Sequence, residues 1–327
     1  MSRKILIVGS HPLCPSLQSQ WNRHGCKVTM VNYGDCMGNQ VDITSFDELC
    51  LLPDVTLEMQ EADAKLLRLL NHWAEHIDGL RDKPVQRLFC HLLLRSEMSI
   101  WMIERTDLPA VVNEYFEVYP TTLPYEWARR VLGGLYKEYP SLDRRIIMRD
   151  DNHRVHFVVD GMSEMAHAMA IHAALVAHFP NFSRDSRLRT RVTMLCGRDD
   201  EGRDAFIHRY GSLFDNSYYR IIDVDRSDQS EFHHPIYAGK REDFVDVEWE
   251  FVMADIQHPL VRAKMVDWSY DETQILTMAL CQKDDDRNWV NALTLPSEIY
   301  DAKVPIYTMV YDSVLFAAAK QRGRFSN

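Results

Sequence analysis

A short apolar strand that closes on a glycine and then runs through a helix into a second strand is the opening unit of a parallel sheet, and this chain contains it twice. Residues 5–9 form an apolar run ending in Gly9. A polar turn with Pro12, a helical stretch over 16–24, Gly25 and a second strand over 27–32 follow. The succession restarts with a strand over 155–159, Gly161, a helical pattern over 164–179 and a strand over 191–196. Parallel neighbours cannot be joined by a tight hairpin and need a crossover, usually a helix. Each repeat therefore commits its half of the chain to a sheet covered by helices. The polar break Asp150-Asp151-Asn152 lies between them, so the divide is expected within 145–153, with domains over 1–150 and 151–327.

The rest of the pattern fits. Residues 61–80 place Ala64, Leu66, Leu67, Leu69, Leu70, Trp73, Ile77 and Leu80 at helical spacing. Residues 85–94 and 114–119 read as strands. Ser96 is positioned to cap a helix through 105, and 124–136 reads as a helix weakened by Gly133-Gly134. In the second half, strands over 219–224, 245–254, 274–281 and 304–311 alternate with helices over 200–214, 259–268, 286–300 (as far as Pro296) and 313–321. Six alternating strands complete a doubly wound sheet. The predicted fold class is α/β, with two tandem Rossmann-like doubly wound parallel sheets.

Composition narrows the function. Of 327 residues, 46% are hydrophobic and 26% charged, which suits a packed core. The formal net charge of −11 repels phosphate backbones, so no nucleic-acid partner is expected. The seven cysteines include no C-x-x-C pair, and several lie in apolar runs, as Cys90 does. They read as buried reduced thiols in a reducing compartment. Met1-Ser2-Arg3-Lys4 leads straight into the first strand without a signal-peptide core, and no apolar run has membrane-spanning length. A cytoplasmic location is the expectation.

Function should sit where each first strand turns into its helix. A dinucleotide site uses three glycines there, for a tight turn, for approach of the pyrophosphate and for helix packing. It also uses an acid at the end of the second strand for the ribose hydroxyls. The first turn, Gly9-Ser10-His11-Pro12-Leu13-Cys14, keeps only the first glycine, and Asn32 holds the acidic position. His11 obstructs the pyrophosphate, so NAD is not expected to bind there in the usual place. The second turn, Gly161-Met162-Ser163-Glu164-Met165-Ala166, is closer, because Ser163 and Ala166 are small. Glu164 opposes a phosphate. Arg198 is placed to meet one, and Asp199 to replace the missing acid. The candidate cofactor-binding residues are Gly161, Ser163, Ala166, Arg198 and Asp199, with Gly9 and Asn32 in the first half.

The stretch Val155-His156-Phe157-Val158-Val159-Asp160-Gly161-Met162-Ser163-Glu164-Met165-Ala166 resembles the start of a TrkA-N domain, the NAD-binding regulatory module of potassium-transport systems, also called RCK or KTN. Ala254-Asp255-Ile256 and Trp289-Val290-Asn291-Ala292-Leu293 are similar to bacterial proteins that pair such domains with a ryanodine-receptor-type domain. The first half resembles the fold alone, through residues 5–32. The resemblance implies a ligand-sensing or assembly role, NAD or another nucleotide as ligand, a homodimer, and a membrane transporter or a fused C-terminal domain as partner. The apolar late stretch 314–319 adds indirect support for self-association.

Other motifs point nowhere sharper. His167, His172 and His178 are not spaced to share a helix face, and His233-His234 would need a distant third ligand. No metal site is expected. Asp284-Asp285-Asp286 precedes a helix and reads as its N-terminal cap rather than a cation site. Trp127, Trp249, Trp268 and Trp289 read as core residues. Neither a G-x-S-x-G elbow nor a P-loop occurs. No catalytic residue is assigned. Two binding folds occupy the whole chain, which favours a regulatory or ligand-sensing protein. An NAD(P)-dependent oxidoreductase is the alternative, and an oligomerisation module with empty pockets a third.

Overall fold

Residues 2–38, 40–80, 86–133, 141–226, 232–236 and 245–309 are described by a computed structural model of the chain. It divides into two units, Met1–Glu126 and Trp127–Asn327.

In the first unit five strands, β1 (Lys4–Val8), β2 (Lys27–Val31), β3 (Glu48–Leu51), β4 (Leu88–Leu94) and β5 (Phe116–Thr122), form a wholly parallel sheet in the order β2-β1-β3-β4-β5. The helices are α1 (Cys14–Arg23), α2 (Tyr33–Met37), α3 (Met59–Asp78), α4 (Glu97–Thr106), α5 (Ala110–Tyr115) and α6 (Leu123–Leu132), the last running across the divide. Strand side chains alternate between faces. Leu6, Val8, Leu49, Leu51, Cys90 and Leu92 pack with α3 and α5. Ile7, Cys50 and Leu52 pack with Cys14, Leu17 and Trp21 of α1. The buried Asp63 of α3 accepts from the amides of Arg95 (2.8 Å) and Ser96 (3.1 Å) and from the Ser99 hydroxyl (2.7 Å). It thereby fastens α3 to the β4–α4 turn. Ser96 caps α4 by accepting from the Met98 amide.

In the second unit β6 (Arg154–Asp160), β7 (Thr190–Leu195), β8 (Tyr218–Ile222), β9 (Phe232–His233), β10 (Val247–Val252), β11 (Gln274–Leu280) and β12 (Ile306–Thr308) take the order β12-β11-β6-β7-β10-β8-β9. All pairs are parallel except β8–β9 at the edge. The helices are α7 (Glu164–Val176), α8 (Asp200–Arg209), α9 (Gly211–Asp215), α10 (Pro259–Tyr270), α11 (Asp285–Thr294) and α12 (Ser297–Asp301). One face carries Val155, Phe157, Val192, Trp249 and Phe251 against α7 and Phe206. The other carries Val158, Leu195, Val252, Met278 and Leu280 against Val261, Met265, Leu295 and Ile299. The fold is α/β with two Rossmann-like sheets.

Several details differ from the sequence reading. The units meet earlier than 145–153, because Ala128, Leu132, Leu142 and Ile147 share a core with β6 and α7. Strand β3 escapes pattern reading. All four of its residues are buried, and one is Glu48, which pairs with Arg3 (3.1 Å) and His91 (2.6 Å). The second sheet places β10 between β7 and β8, so β8 lies further out than simple winding predicts. Trp249 is fully buried, but Trp127 is 39% exposed, with the Arg130 guanidinium over its ring. The readings over 134–136, 310–311 and 313–321, including 314–319, lie outside the described residues. No helix among the described residues is long and apolar enough to cross a membrane.

Candidate functional site

In doubly wound sheets ligands bind beyond the strand C-termini where the order reverses. That point lies between β1 and β3 in the first unit and between β6 and β11 in the second. A crevice opens at each.

The first is about 400 Å³ and is lined by Gly9, Ser10, Asn32, Tyr33, Asp54 and Lys65, among others. Gly9 has φ +135°, and a Cβ there would lie 2.5 Å from the Leu52 carbonyl oxygen. The glycine is therefore required by the chain leaving β3, whatever binds. His11 closes the turn on itself. Its Nδ1 accepts from the Leu13 amide (3.1 Å), and its carbonyl accepts from the Cys14 amide (2.9 Å). Burial, with the Arg95 charge adding to it, lowers the His11 pKa, which suits this accepting role. Two amides that a phosphate would need are thus already used. Asn32 is exposed and stands at the N-cap of α2 without capping it through its side chain. Lys65 pairs with Asp54 (3.3 Å) and sits over the Tyr33 ring.

The second crevice is about 520 Å³, within the usual range for small-molecule sites. Its lining includes Gly161, Ser163, Arg198, Asp199, Gln282 and Lys283. Gly161 repeats the logic of Gly9: φ is +111°, and a Cβ would meet the Cys281 carbonyl oxygen at 2.8 Å. Ser163 caps α7 by accepting from the Ala166 amide (3.1 Å) and donates to the Cys281 carbonyl (2.5 Å). Its hydroxyl ties helix to strand. Ala166, in the first turn of α7, is fully buried, where a small residue lets helix approach sheet. Glu164, half-buried, is the first residue of that helix. Asp199 accepts from the Gly202 amide (2.9 Å) and caps α8. Arg198 reaches the crevice exposed and, like Lys283, forms no ion pair with a described residue.

The structure thus gathers Gly161, Ser163, Arg198 and Asp199 at one crevice, with Ala166 under it, and places Gly9 and Asn32 at the other. Sequence reasoning missed Gln282, Lys283, Asp255 and Arg287 as lining residues, because only the sheet order brings the segments after β10 and β11 to the end of β6. Asp255 and Arg287 form an ion pair. Asp284 caps α11, accepting from the Asp286 (2.9 Å) and Arg287 (3.2 Å) amides. The Cys196 thiol is pushed up to about 12 by burial, so it stays protonated and is a poor nucleophile. Burial likewise raises Cys281.

The histidines are dispersed. His167 is buried, stacks on Phe206 and is pushed down to about 4 by burial. His178 is raised by its bond to Asp246 (2.9 Å). His233 stacks on Tyr219 at 4.3 Å. Among the described residues no three metal-ligating side chains gather. No family model matches the chain, and no curated protein matches it.

Proposed function

We propose that this chain is a ligand-sensing regulatory protein whose second unit binds NAD or another nucleotide in the β6–β11 crevice. The observation that carries the reading is the state of the charges around that crevice. Asp199 and Asp284 are engaged as caps and Asp255 is ion-paired, whereas the Arg198 and Lys283 cations have no ion-pair partner among the described residues. Two available cations flank the N-terminal turn of α7, and helix N-termini favour anions. The Cys196 thiol of the lining is held protonated, as is that of Cys281 next to Gln282, which supports binding rather than covalent chemistry. A regulatory role, as opposed to an oxidoreductase, is also what the resemblance to potassium-transport modules implies. A homodimer acting on a transporter or on a fused domain belongs to the same proposal.

The test is a thermal-shift and native mass-spectrometry screen of the full chain against NAD, NADH, NADP, ATP, ADP and cyclic dinucleotides. The reading expects at least one to bind and the Arg198→Ala/Lys283→Ala double variant to lose it while melting like the parent. Removing two charge-assisted contacts costs about 3–6 kcal/mol of binding. Binding that survives the double variant, or no binding by any of the six, refutes the reading. Gly161 is a poor probe, since its replacement strikes β11 before it touches a ligand.

A further inference from the structure

Beneath the second crevice lies a carboxyl group whose hydrogen bonds have an enforced direction. Asp160, the last residue of β6, is 1% exposed. Its Oδ2 accepts from Asn291 Nδ2 and its Oδ1 from Gln282 Nε2, each at 2.9 Å. The amide chain behind Asn291 starts at a group that can only donate. Arg262 Nη1 donates to Gln257 Oε1 (3.0 Å). The Gln257 nitrogen must then donate onward, and it does so to Asn291 Oδ1 (3.0 Å). That leaves the Asn291 nitrogen facing Asp160. Oδ2 is therefore held as an acceptor, and a proton arriving on the carboxyl must reside on Oδ1, opposite Gln282.

Gln282 is built to respond. Asn288 clamps its backbone, accepting from the Gln282 amide (2.6 Å) and donating to its carbonyl (2.9 Å). Its side chain has one bond among the described residues, to Asp160, and it lines the crevice. We propose that Asp160 is a proton-controlled switch that sets whether Gln282 offers an acceptor or a donor to the occupant of the crevice. With Asp160 ionised, the Gln282 NH₂ turns down to Oδ1 and leaves Oε1 outward, which disfavours an anion. With a solvent proton on Oδ1, the O–H donates to Oε1. The amide turns half round, and NH₂ faces the crevice.

Burial pushes Asp160 up to about 6, against the pull of its two amide donors, so both forms are accessible near neutral pH. The charges that face it are Asp255, on the segment after β10, and Arg287 of α11, which are paired to each other and act in opposite senses. The Cys281 thiol at the end of β11 feels the carboxylate and stays neutral. Arg198, Asp199, Lys283 and Asp284 stand on the crevice rim, and Glu164 opens α7. The consequence for a ligand rests on the function proposed above; the switch does not.

The full chain, labelled with ¹⁵N at side-chain amides, is titrated by NMR from pH 4.5 to 8, with Gln282→Leu identifying the Gln282 signal. NAD, whose pyrophosphate keeps its charge over this range, is titrated calorimetrically at pH 5.5 and at pH 8. The Gln282 amide should inflect near pH 6, and NAD should bind about tenfold more tightly at pH 5.5 than at pH 8. Asp160→Asn presents its own NH₂ to Gln282 Oε1, so it should hold the tighter affinity at every pH. A flat Gln282 signal between pH 5 and 7, or an Asp160→Asn variant that follows the parent's pH course, overturns the switch. If NAD binds at neither pH, the crevice reading loses its dinucleotide, and the Gln282 inflection alone decides the switch.

Discussion

Replacing Gly9 by alanine tests whether the glycine of the first turn serves the fold or a ligand. At φ +135° a non-glycine residue costs about 1–3 kcal/mol. The added Cβ would also lie 2.5 Å from the Leu52 oxygen and 3.3 Å from its carbon, both backbone atoms. Val8 and Leu52 are at most 1% exposed, so β1 and β3 must separate inside a packed core, at a further cost of about 1–3 kcal/mol. Together the loss is about 4 kcal/mol. Gly25, in the same unit, isolates the first contribution. It has φ +80° and nothing within 4 Å of its would-be Cβ, so Gly25→Ala should cost only about 1–2 kcal/mol. Hydrogen exchange at the β1 and β3 amides reads the stability of this unit by itself. A difference between the two variants of about 2–3 kcal/mol is expected. If Gly9→Ala is within about 0.5 kcal/mol of Gly25→Ala, the close approach of Leu52 is not what demands the glycine.

Three further outcomes are expected. Asp160 binds its proton more tightly folded, at about 6, than at its ordinary 3.8, so stability of the second unit should fall as pH rises through that window, by about 3 kcal/mol in all; urea titrations should show the slope in the parent and not in Asp160→Asn. Asp63→Ala strands the Arg95 and Ser96 amides and the Ser99 hydroxyl and should cost the first unit about 3 kcal/mol by denaturant titration, with a smaller loss for Asp63→Asn. Ser163→Ala loses a cap and the bond to Cys281, and should destabilise the second unit by about 1–2 kcal/mol while leaving nucleotide affinity within about twofold, as read by calorimetry.

Much of the fold was legible because the decisive signals were local. The glycine-terminated strands at Gly9 and near Gly161, the helical spacing from Ala64 to Ile77 and the capping serine Ser96 each act within a few residues of their cause. What stayed hidden depends on distant pairing. Strand β3 is recognisable only once Arg3 and His91 are known to partner Glu48. The place of β10 between β7 and β8 is marked by Glu250, which accepts from Thr193 of β7 (2.9 Å) and pairs with Arg220 of β8. Half of the second crevice was invisible for the same reason, since Gln282 and Lys283 are far in sequence from Gly161 and are brought to it by β6–β11 pairing.

The glycine fingerprint therefore has to be weighed by what presses on each glycine. In both units the first glycine is explained by a carbonyl just past the end of the strand across the reversal point, Leu52 in one and Cys281 in the other. A sheet with this connectivity would select glycine there with no ligand at all, so its presence says little about binding. The other positions discriminate better. In the first unit His11 has turned the amides of Leu13 and Cys14 to its own use, and the nearby Lys65 is paired with Asp54. In the second, Ser163 caps the helix through one amide, that of Ala166, and the cations at Arg198 and Lys283 have no ion-pair partner among the described residues. An anion entering the first crevice would have to break bonds already made, whereas one entering the second meets two cations that no described residue pairs with. That difference, rather than the count of glycines, is the reason to look for the ligand in the second unit.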